Sequence, residues 1–163
     1  VAGADAEYAA HLRRECEELG ILNATVLEYV EGMAELMAAS DLVICKPGGL
    51  TVTECLCAEA PMILLGRAYG QENINVRMLT SLGAALHVTN ARELVGAMGH
   101  VDANPAIVDA MLTQGSFLRR PNAAIDIARN ALRLAAAEPS TDARMRKKHF
   151  LHFYWGHTPA HIR

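Results

Sequence analysis

The chain of 163 residues is 52% hydrophobic and 20% charged, which suits one domain with its own core, and no apolar run approaches the roughly 18 residues of a membrane-spanning helix. Residues 144–163 carry five basic side chains and no acidic one, so the formal net charge of −3 divides into +5 on this tail and −8 on the preceding body. An acidic body argues against nucleic-acid binding, which relies on basic surface.

Short apolar runs rich in branched residues alternate with longer segments of helical period. This pattern predicts an α/β fold, a Rossmann-like parallel sheet with helices on both faces. In chain order the predicted elements are a helix over 5–19, a strand over Ala24–Tyr29, a helix over Met33–Ala39, a strand over Asp41–Cys45, a helix over 50–59, a strand over Met62–Leu65, a helix from Gln71 to Gly83, a strand over Ala84–Val88, and helices over 91–99, 104–115 and 121–137. The strand over 41–45 is almost wholly apolar, as is typical of a buried parallel strand.

The body is predicted to end at residue 138, because Pro139 excludes a further helical turn and the composition then becomes basic and aromatic. The chain thus divides into a domain over 1–138 and a tail over 139–163. It begins at Val1 without an initiator Met, as though cut at the end of a strand that enters a helix. We therefore expect a domain truncated at its N-terminus.

The four cysteines lie in apolar or helical stretches, and the first residues lack the features of a signal peptide. A reducing cytoplasm is the expected compartment. A spacing of two on a helix points Cys55 and Cys57 to different faces, and no carboxylate pair or histidine set has a recognised metal-ligand spacing, so no metal site is predicted.

A glycine-rich loop follows the strand over Asp41–Cys45, at the carboxyl end where parallel sheets bind ligands. Gly48 and Gly49 lack a Cβ, so the backbone can adopt unusual dihedrals and approach a ligand, while the next helix presents free amides and its positive dipole end. This combination suits a diphosphate. Glu54 can accept two hydrogen bonds from the vicinal hydroxyls of a ribose, and Thr51 can donate or cap. For the two glycines alone, a tight strand-to-helix turn is the alternative.

A second polar group follows the strand over Met62–Leu65, and both loops should face one cleft. Gln71, Glu72 and Asn75 supply the amides and carboxylate that distinguish sugar hydroxyls, and Gly70 lets the turn approach closely. The alternative is helix capping, in which Asn is common.

With both groups in place, the sequence resembles the C-terminal domain of GT-B glycosyltransferases. The group in question contains monogalactosyldiacylglycerol synthases, processive diacylglycerol glucosyltransferases and the N-acetylglucosaminyltransferase that makes lipid II. The resemblance covers about residues 1–137 and is carried by Tyr29–Met33 with Ala34–Ala39, by Asp41–Glu54, and by Pro61–Leu64 leading to Gly70–Glu72 and Asn75. The Lys-Pro-Gly-Gly-Leu-Thr form of the loop is similar to the diacylglycerol enzymes more than to the lipid II enzyme.

The resemblance implies a binding site for a UDP-sugar, which is a substrate, and implies no cofactor. It places Tyr29 and Val30 beside the uracil, Lys46, Gly48, Gly49, Leu50 and Thr51 at the diphosphate, Glu54 at the ribose, and Gln71 and Glu72 at the hexose, with Gly70 and Asn75 completing the site.

Two positions depart from the family pattern. Glu59 stands where the family usually has glycine, at a cost of about 1 kcal/mol if its backbone is left-handed. Gly66–Tyr69 replaces an Asn-Pro-Ile-Pro type of approach to Gly70, which predicts a different loop shape near the hexose and leaves the identity of the hexose open.

The resulting hypothesis is a hexosyltransferase donor domain that transfers glucose or galactose from a UDP-hexose to a lipid such as diacylglycerol. Lys46, the loop amides and the helix dipole would offset the charge of the departing diphosphate. The resemblance implies that the N-terminal domain, which this chain lacks, supplies the base and binds the lipid acceptor. The fragment is therefore expected to hold no catalytic residue and to be inactive alone.

Three alternatives stay open. One is a UDP-GlcNAc-dependent transferase that acts on a lipid intermediate of peptidoglycan synthesis. Another is a non-catalytic donor-binding subunit that needs a separate acceptor-domain partner. A nucleotide-sugar epimerase would also bind UDP, but it needs its own acid and base around the sugar.

The tail over 144–163 combines basic and aromatic side chains, which suits contact with an anionic membrane surface. Such contact would make the enzyme peripheral at the cytoplasmic face of the membrane. A helix that packs against the missing domain is the alternative.

Overall fold

The structure is a computed structural model that describes residues 1–136. The chain divides into two units, Val1–Pro121 and Asn122–Arg163, and the basic aromatic tail predicted over 139–163 lies outside the described residues. The first unit contains α1 (Ala6–Glu18), α2 (Met33–Ala38), β1 (Val43–Cys45), α3 (Gly49–Cys57), β2 (Met62–Leu65), α4 (Gln71–Ser81), β3 (Leu86–Val88), α5 (Ala91–Ala103) and α6 (Ala106–Leu118). In residues 1–136, no helix combines the length and the apolar character needed to span a membrane.

The strands form a three-stranded parallel sheet in the order β1-β2-β3, which confirms the predicted α/β class. Ile63 of the central strand is aligned with Ile44 on one side and Leu86 on the other. The central β2 is buried, as expected for a strand between two others, whereas β1 lies at the edge of the sheet and Ile44 is 40% exposed. The strand predicted over 41–45 as a buried parallel strand forms over Val43–Cys45 but is only partly buried, because apolar composition does not show which strand is central.

The predicted strand over Ala24–Tyr29 does not form. Among the described residues, a single backbone hydrogen bond ties this segment to another part of the chain, from Ala2 N–H to Leu27 O at 2.7 Å. The side chain of Arg13 adds bonds to Val26 O at 3.1 Å and to the Glu28 carboxylate at 3.0 Å. A strand needs a ladder of backbone bonds with a neighbour, and branched residues alone do not supply one.

The core lies between the sheet and the helices that follow its strands. Its buried members are apolar and come from α2, α3, α4, β2 and the residues that precede β2 and β3: Met37, Val52, Cys55, Ala60, Met62, Leu64, Val76, Leu79, Ala84 and Ala85. The helices α3 and α4 each bury one face, so their first turns are held at fixed positions beside the sheet.

Three helices of the first unit end in the same hydrogen-bonded turn, in which a residue with positive φ follows the last helical turn. Gly20 occupies this position after α1 at φ 66°, Gly83 after α4 at φ 71°, and Glu59 after α3 at φ 56°. After α3, the Glu59 N–H donates to Leu56 O at 3.3 Å and the next N–H, of Ala60, donates to Cys55 O at 2.9 Å. The backbone at Glu59 is thus left-handed, which meets the condition for the cost of about 1 kcal/mol stated from sequence.

The second unit contains α7 (Ala123–Ala136) among its described residues. The Asn122 carbonyl accepts the N–H of Asp126 at 3.0 Å, and Arg129 lies 3.4 Å from the Asp126 carboxylate. The polar side chains, from Asp126 to Arg133, occupy one side of the helix wheel, so α7 is amphipathic.

Candidate functional site

The two loops that carry the predicted site residues leave the same edge of the sheet. β1 and β2 are parallel neighbours, so the loop after Cys45 and the loop after Leu65 both begin at carboxyl ends of strands. The first loop leads to α3 at Gly49 and the second to α4 at Gln71. This is the position at which open parallel sheets bind ligands.

One side-chain hydrogen bond joins the two predicted groups directly. The amide Nδ2 of Asn75, in the second turn of α4, donates to the carbonyl oxygen of Pro47 at 2.9 Å. Asn75 is half-buried, and the side chain of Pro47 is among the most completely buried in the described chain. The structure therefore brings Asn75 against the glycine loop, although the two are 28 residues apart in sequence.

No side chain of α3 neutralises the positive end of the helix dipole at its first turn. Gly48 is the N-cap, no side chain caps the helix, and no acidic residue lies in its first turn. By contrast, Asp5 caps α1, and α5 is capped by Asn90 with Glu93 in its first turn. The uncapped amides and the positive dipole end of α3 therefore favour an anion at this point.

Gly48 and Gly49 lie beside open space. A Cβ built on either glycine would meet no atom within 4 Å. Gly48 has φ −70° and ψ 141°, a conformation open to any residue, and Gly49 is not among the positive-φ glycines. The expectation that these glycines supply unusual dihedrals is wrong, because neither has a positive φ. The open space beside them leaves room for a ligand to approach the backbone.

The second loop does require glycine for its backbone. Gly66 has φ 103° and Gly70, the N-cap of α4, has φ 54°. Two contacts with β3 fix the backbone of Gly66. Its N–H donates to Val88 O at 2.9 Å, and its carbonyl oxygen lies 2.9 Å from His87 Nε2. No side chain caps α4, so capping of this helix by its own Asn or Gln, the alternative from sequence, does not occur.

The polar groups predicted at the diphosphate and ribose face solvent. Lys46 and Glu54 are exposed and form no ion pair with any described residue, while Thr51 is half-buried. Leu50, at the second position of α3, is 82% exposed, although it is among the larger apolar side chains. The charged groups at this edge are thus available to a ligand.

The remaining predicted residues lie in the first turn of α4 and in the segment that precedes α2. Gln71 is exposed and Glu72 half-buried in the first turn of α4, where the Glu72 N–H donates to Tyr69 O at 3.1 Å. Tyr29, which is 73% exposed, and the half-buried Val30 precede α2. Within residues 1–136, no hydrogen bond joins Tyr29 or Val30 to either loop.

Sequence reasoning missed a pair of thiols beneath the glycine loop. Cys45 ends β1 directly before Lys46, and Cys55 follows Glu54 on the buried face of α3. The Cys55 thiol donates a hydrogen bond that lowers the pKa of Cys45, while burial of Cys45 acts in the opposite direction. The same hydrogen bond, followed by burial, raises the pKa of Cys55. Residue spacing could not reveal the pair, because it depends on how α3 packs on β1.

Comparison with known proteins assigns this arrangement to a family. The family model described as the glycosyltransferase family 28 C-terminal domain matches residues 3–100. A processive diacylglycerol beta-glucosyltransferase of Staphylococcus carnosus is 39% identical over 83 residues, which cover 51% of this chain and 21% of that protein. The UDP-N-acetylglucosamine--N-acetylmuramyl-(pentapeptide) pyrophosphoryl-undecaprenol N-acetylglucosamine transferase of Azotobacter vinelandii is 30% identical over 113 residues, 65% of this chain and 32% of that protein. The chain thus spans between about a fifth and a third of the length of these relatives.

A solved structure shares the fold. The crystal structure of Acinetobacter baumannii MurG matches 69% of this chain and 36% of its own chain with a TM-score of 0.58 and 23% sequence identity. The architecture is that of the C-terminal half of a GT-B fold.

Proposed function

Because the chain belongs to the family of glycosyltransferase family 28 C-terminal domains, we propose that it is the donor half of a hexosyltransferase that binds a UDP-hexose and serves a lipid acceptor such as diacylglycerol. The observation that carries the proposal is the joining of the two loops at one sheet edge by the bond from Asn75 to Pro47. It supports a single site in which the glycine loop and the first turn of α4 act on one ligand.

In the proposed site, the glycine loop binds the diphosphate of the donor. The uncapped amides at the start of α3 and the ammonium group of Lys46 meet the phosphate charge, and the open side of Gly48 and Gly49 lets phosphate oxygens approach the backbone. Transfer of the hexose leaves more negative charge on the departing UDP, so these groups stabilise the transition state more than the bound donor. Glu54 accepts hydrogen bonds from the ribose hydroxyls.

On the other side of the site, α4 faces the hexose. Gln71 and Glu72, in its first turn, offer an amide and a carboxylate to the sugar hydroxyls. Tyr29 and Val30 are assigned to the uracil. The resemblance to two-domain transferases leaves the base and the lipid to an acceptor-binding domain, so the chain alone is expected not to transfer sugar.

The acceptor and the hexose are proposed from the relatives. The diacylglycerol glucosyltransferase is more similar in the matched region, at 39% identity, than the N-acetylglucosamine transferase, at 30%. UDP-glucose is therefore the first donor to test. The second candidate, a UDP-GlcNAc-dependent transferase that acts on a lipid intermediate, is supported by the longer match of 113 residues.

Isothermal titration of the folded 163-residue chain with UDP, UDP-glucose, UDP-galactose, UDP-GlcNAc and GDP tests the proposal. Binding of UDP and at least one UDP-hexose, with GDP much weaker, is the expected result. Tighter binding of UDP-GlcNAc than of UDP-glucose would favour the second candidate. The absence of heat with all five ligands, in protein whose circular dichroism shows the expected helices, would remove the proposal.

A lipid acceptor implies work at a membrane surface, and we infer that the protein is peripheral at the cytoplasmic face. The support is the basic and aromatic composition of residues 144–163, which lie outside the described residues. Co-sedimentation of the chain with anionic vesicles, lost on deletion of 144–163 and in high salt, is expected. Equal sedimentation of the deleted chain would contradict this role of the tail.

A further inference from the structure

The hydrogen bond from Asn75 to the Pro47 carbonyl also affects the Gly48 N–H, because both groups belong to the same peptide unit. Every peptide bond in the described chain is trans. In a planar trans peptide the C=O and N–H bonds point in opposite directions. By fixing the Pro47 carbonyl at 2.9 Å, Asn75 therefore also fixes the direction of the Gly48 N–H.

This peptide would otherwise be free to turn. It is followed by two glycines, whose backbones rotate with little steric resistance, and a Cβ at either would meet no atom within 4 Å. The Pro47 side chain is buried and holds one end of the peptide, but a buried ring leaves the direction of its carbonyl to be set by a partner. The partner in this structure is Asn75, on the second turn of a packed helix.

The bond to Pro47 gives Asn75 a contact with the glycine loop. It uses one N–H of the Nδ2 group, which leaves the second N–H and Oδ1 for other partners. The neighbours of Asn75 in the first turn of α4, Gln71 and Glu72, have no such bond to the glycine loop.

We propose that Asn75 is a positioning residue for the diphosphate of the donor: it orients the Pro47–Gly48 peptide so that the Gly48 N–H points to the phosphates. This assignment rests on the proposed function, because it requires that the glycine loop bind a nucleotide diphosphate. It separates Asn75 from Gln71 and Glu72, which the proposed function assigns to the sugar.

The test compares Asn75→Ala and Asn75→Asp with wild type in titrations with uridine, UDP and UDP-glucose. Neither variant can donate to the Pro47 carbonyl at neutral pH, and the Asp variant keeps the shape of the side chain. We expect both variants to bind UDP about tenfold more weakly than wild type does. In each variant UDP-glucose should lose affinity by the same factor as UDP, and the affinity for uridine should be unchanged. Asn73→Ala, on the exposed side of the same helix, is the control and should bind all three ligands as wild type does.

Each other outcome is decisive. An unchanged UDP affinity with weaker UDP-glucose binding would show that Asn75 contacts the hexose and would overturn the proposal. Lower thermal stability with unchanged affinity for all three ligands would also overturn it, because the bond would then be purely structural. If wild type binds neither UDP nor UDP-glucose, the proposed function itself fails. As a second measurement, the amide resonance of Gly48 in ¹⁵N spectra should move on addition of UDP in wild type, and should differ between wild type and Asn75→Asp before any ligand is added.

Discussion

Glu59 and Arg119 form an ion pair that joins the end of α3 to the end of α6, at a position where the Glu59 backbone is left-handed. The pair bridges 60 residues of sequence, and both side chains are partly exposed. A β-carbon disfavours a positive φ, whereas an exposed ion pair adds little stability. Glu59 therefore has a backbone cost that its side-chain contact does not fully offset.

Replacing Glu59 by Gly should stabilise the protein, and replacing it by Ala should not. Glu59→Gly relieves the backbone and loses the ion pair, whereas Glu59→Ala loses the ion pair and keeps the strain. We expect the glycine variant to be about 1 kcal/mol more stable than the alanine variant in urea unfolding. Arg119→Ala measures the ion pair separately and should cost less than about 1 kcal/mol. Equal stability of the Gly and Ala variants would contradict a strained backbone at Glu59.

Glu54→Ala should weaken UDP binding by about 1–3 kcal/mol, as expected for the loss of hydrogen bonds to a charged group. Because the proposed contact is with the ribose hydroxyls, the substitution should reduce the affinity for 2′-deoxy-UDP less than the affinity for UDP. Glu59→Gln alters an exposed carboxylate at the opposite end of the helix and should leave UDP affinity unchanged. Equal losses for UDP and 2′-deoxy-UDP would reject the ribose contact.

The thiol of Cys45 should react with iodoacetamide faster than that of Cys55. The hydrogen bond from Cys55 holds the pKa of Cys45 below its ordinary value of 9.0, and Cys45 is partly accessible whereas Cys55 is buried. Cys55→Ala removes the donor, so the pH profile of Cys45 alkylation should move to higher pH. Cys55→Ser keeps a donor in place and should preserve more of the wild-type profile. Mass spectrometry of the peptides assigns each rate, and an unchanged profile in the alanine variant would refute the thiol pair.

Glu93 should make the stability of the protein depend on pH in the acid range. Its carboxylate accepts bonds from the Thr89 N–H at 2.7 Å, from the Thr89 hydroxyl at 2.9 Å and from Asn90 Nδ2 at 2.8 Å, which lower its pKa below the ordinary value of 4.5. A lowered folded pKa means that ionised Glu93 stabilises the fold above about pH 4.5, and that this stabilisation is lost as the pH falls through the folded value.

Urea unfolding of wild type and Glu93→Gln between pH 3 and pH 7 measures this contribution, and the range brackets the unfolded value of a glutamate at roughly 4.3. The two midpoints should differ at neutral pH and converge at the acid end. A constant difference across the range would show that the Glu93 charge plays no part in capping α5.

Much of the fold follows from local sequence pattern. The helices around Cys16 and Val52, the central strand at Ile63 and the stops at Gly20 and Gly83 lie close to where periodicity and glycine placement predict them. These features depend on a few consecutive residues, which is why one sequence suffices to find them.

Apart from the ordinary dihedrals at Gly48 and Gly49, the errors and omissions described above involve partners distant in sequence. The segment around Leu27 has strand-like composition but lacks a ladder, and the exposure of Ile44 depends on strand order. The bond from Asn75 to Pro47 and the thiol pair of Cys45 with Cys55 depend on the packing of helices on the sheet. No local pattern carries that information, so the sequence suggests candidate site residues but not the contacts among them.

The two ends of α3 therefore have separate duties, and this has a practical consequence for variants of the protein. The helix begins at Gly49 in the glycine loop and ends at Cys57, two residues before the left-handed Glu59. A protein engineer can gain stability at the far end without touching a group proposed to bind the nucleotide. A Glu59→Gly background should then tolerate destabilising substitutions in the proposed donor site, so that losses of affinity are measured in molecules that remain folded.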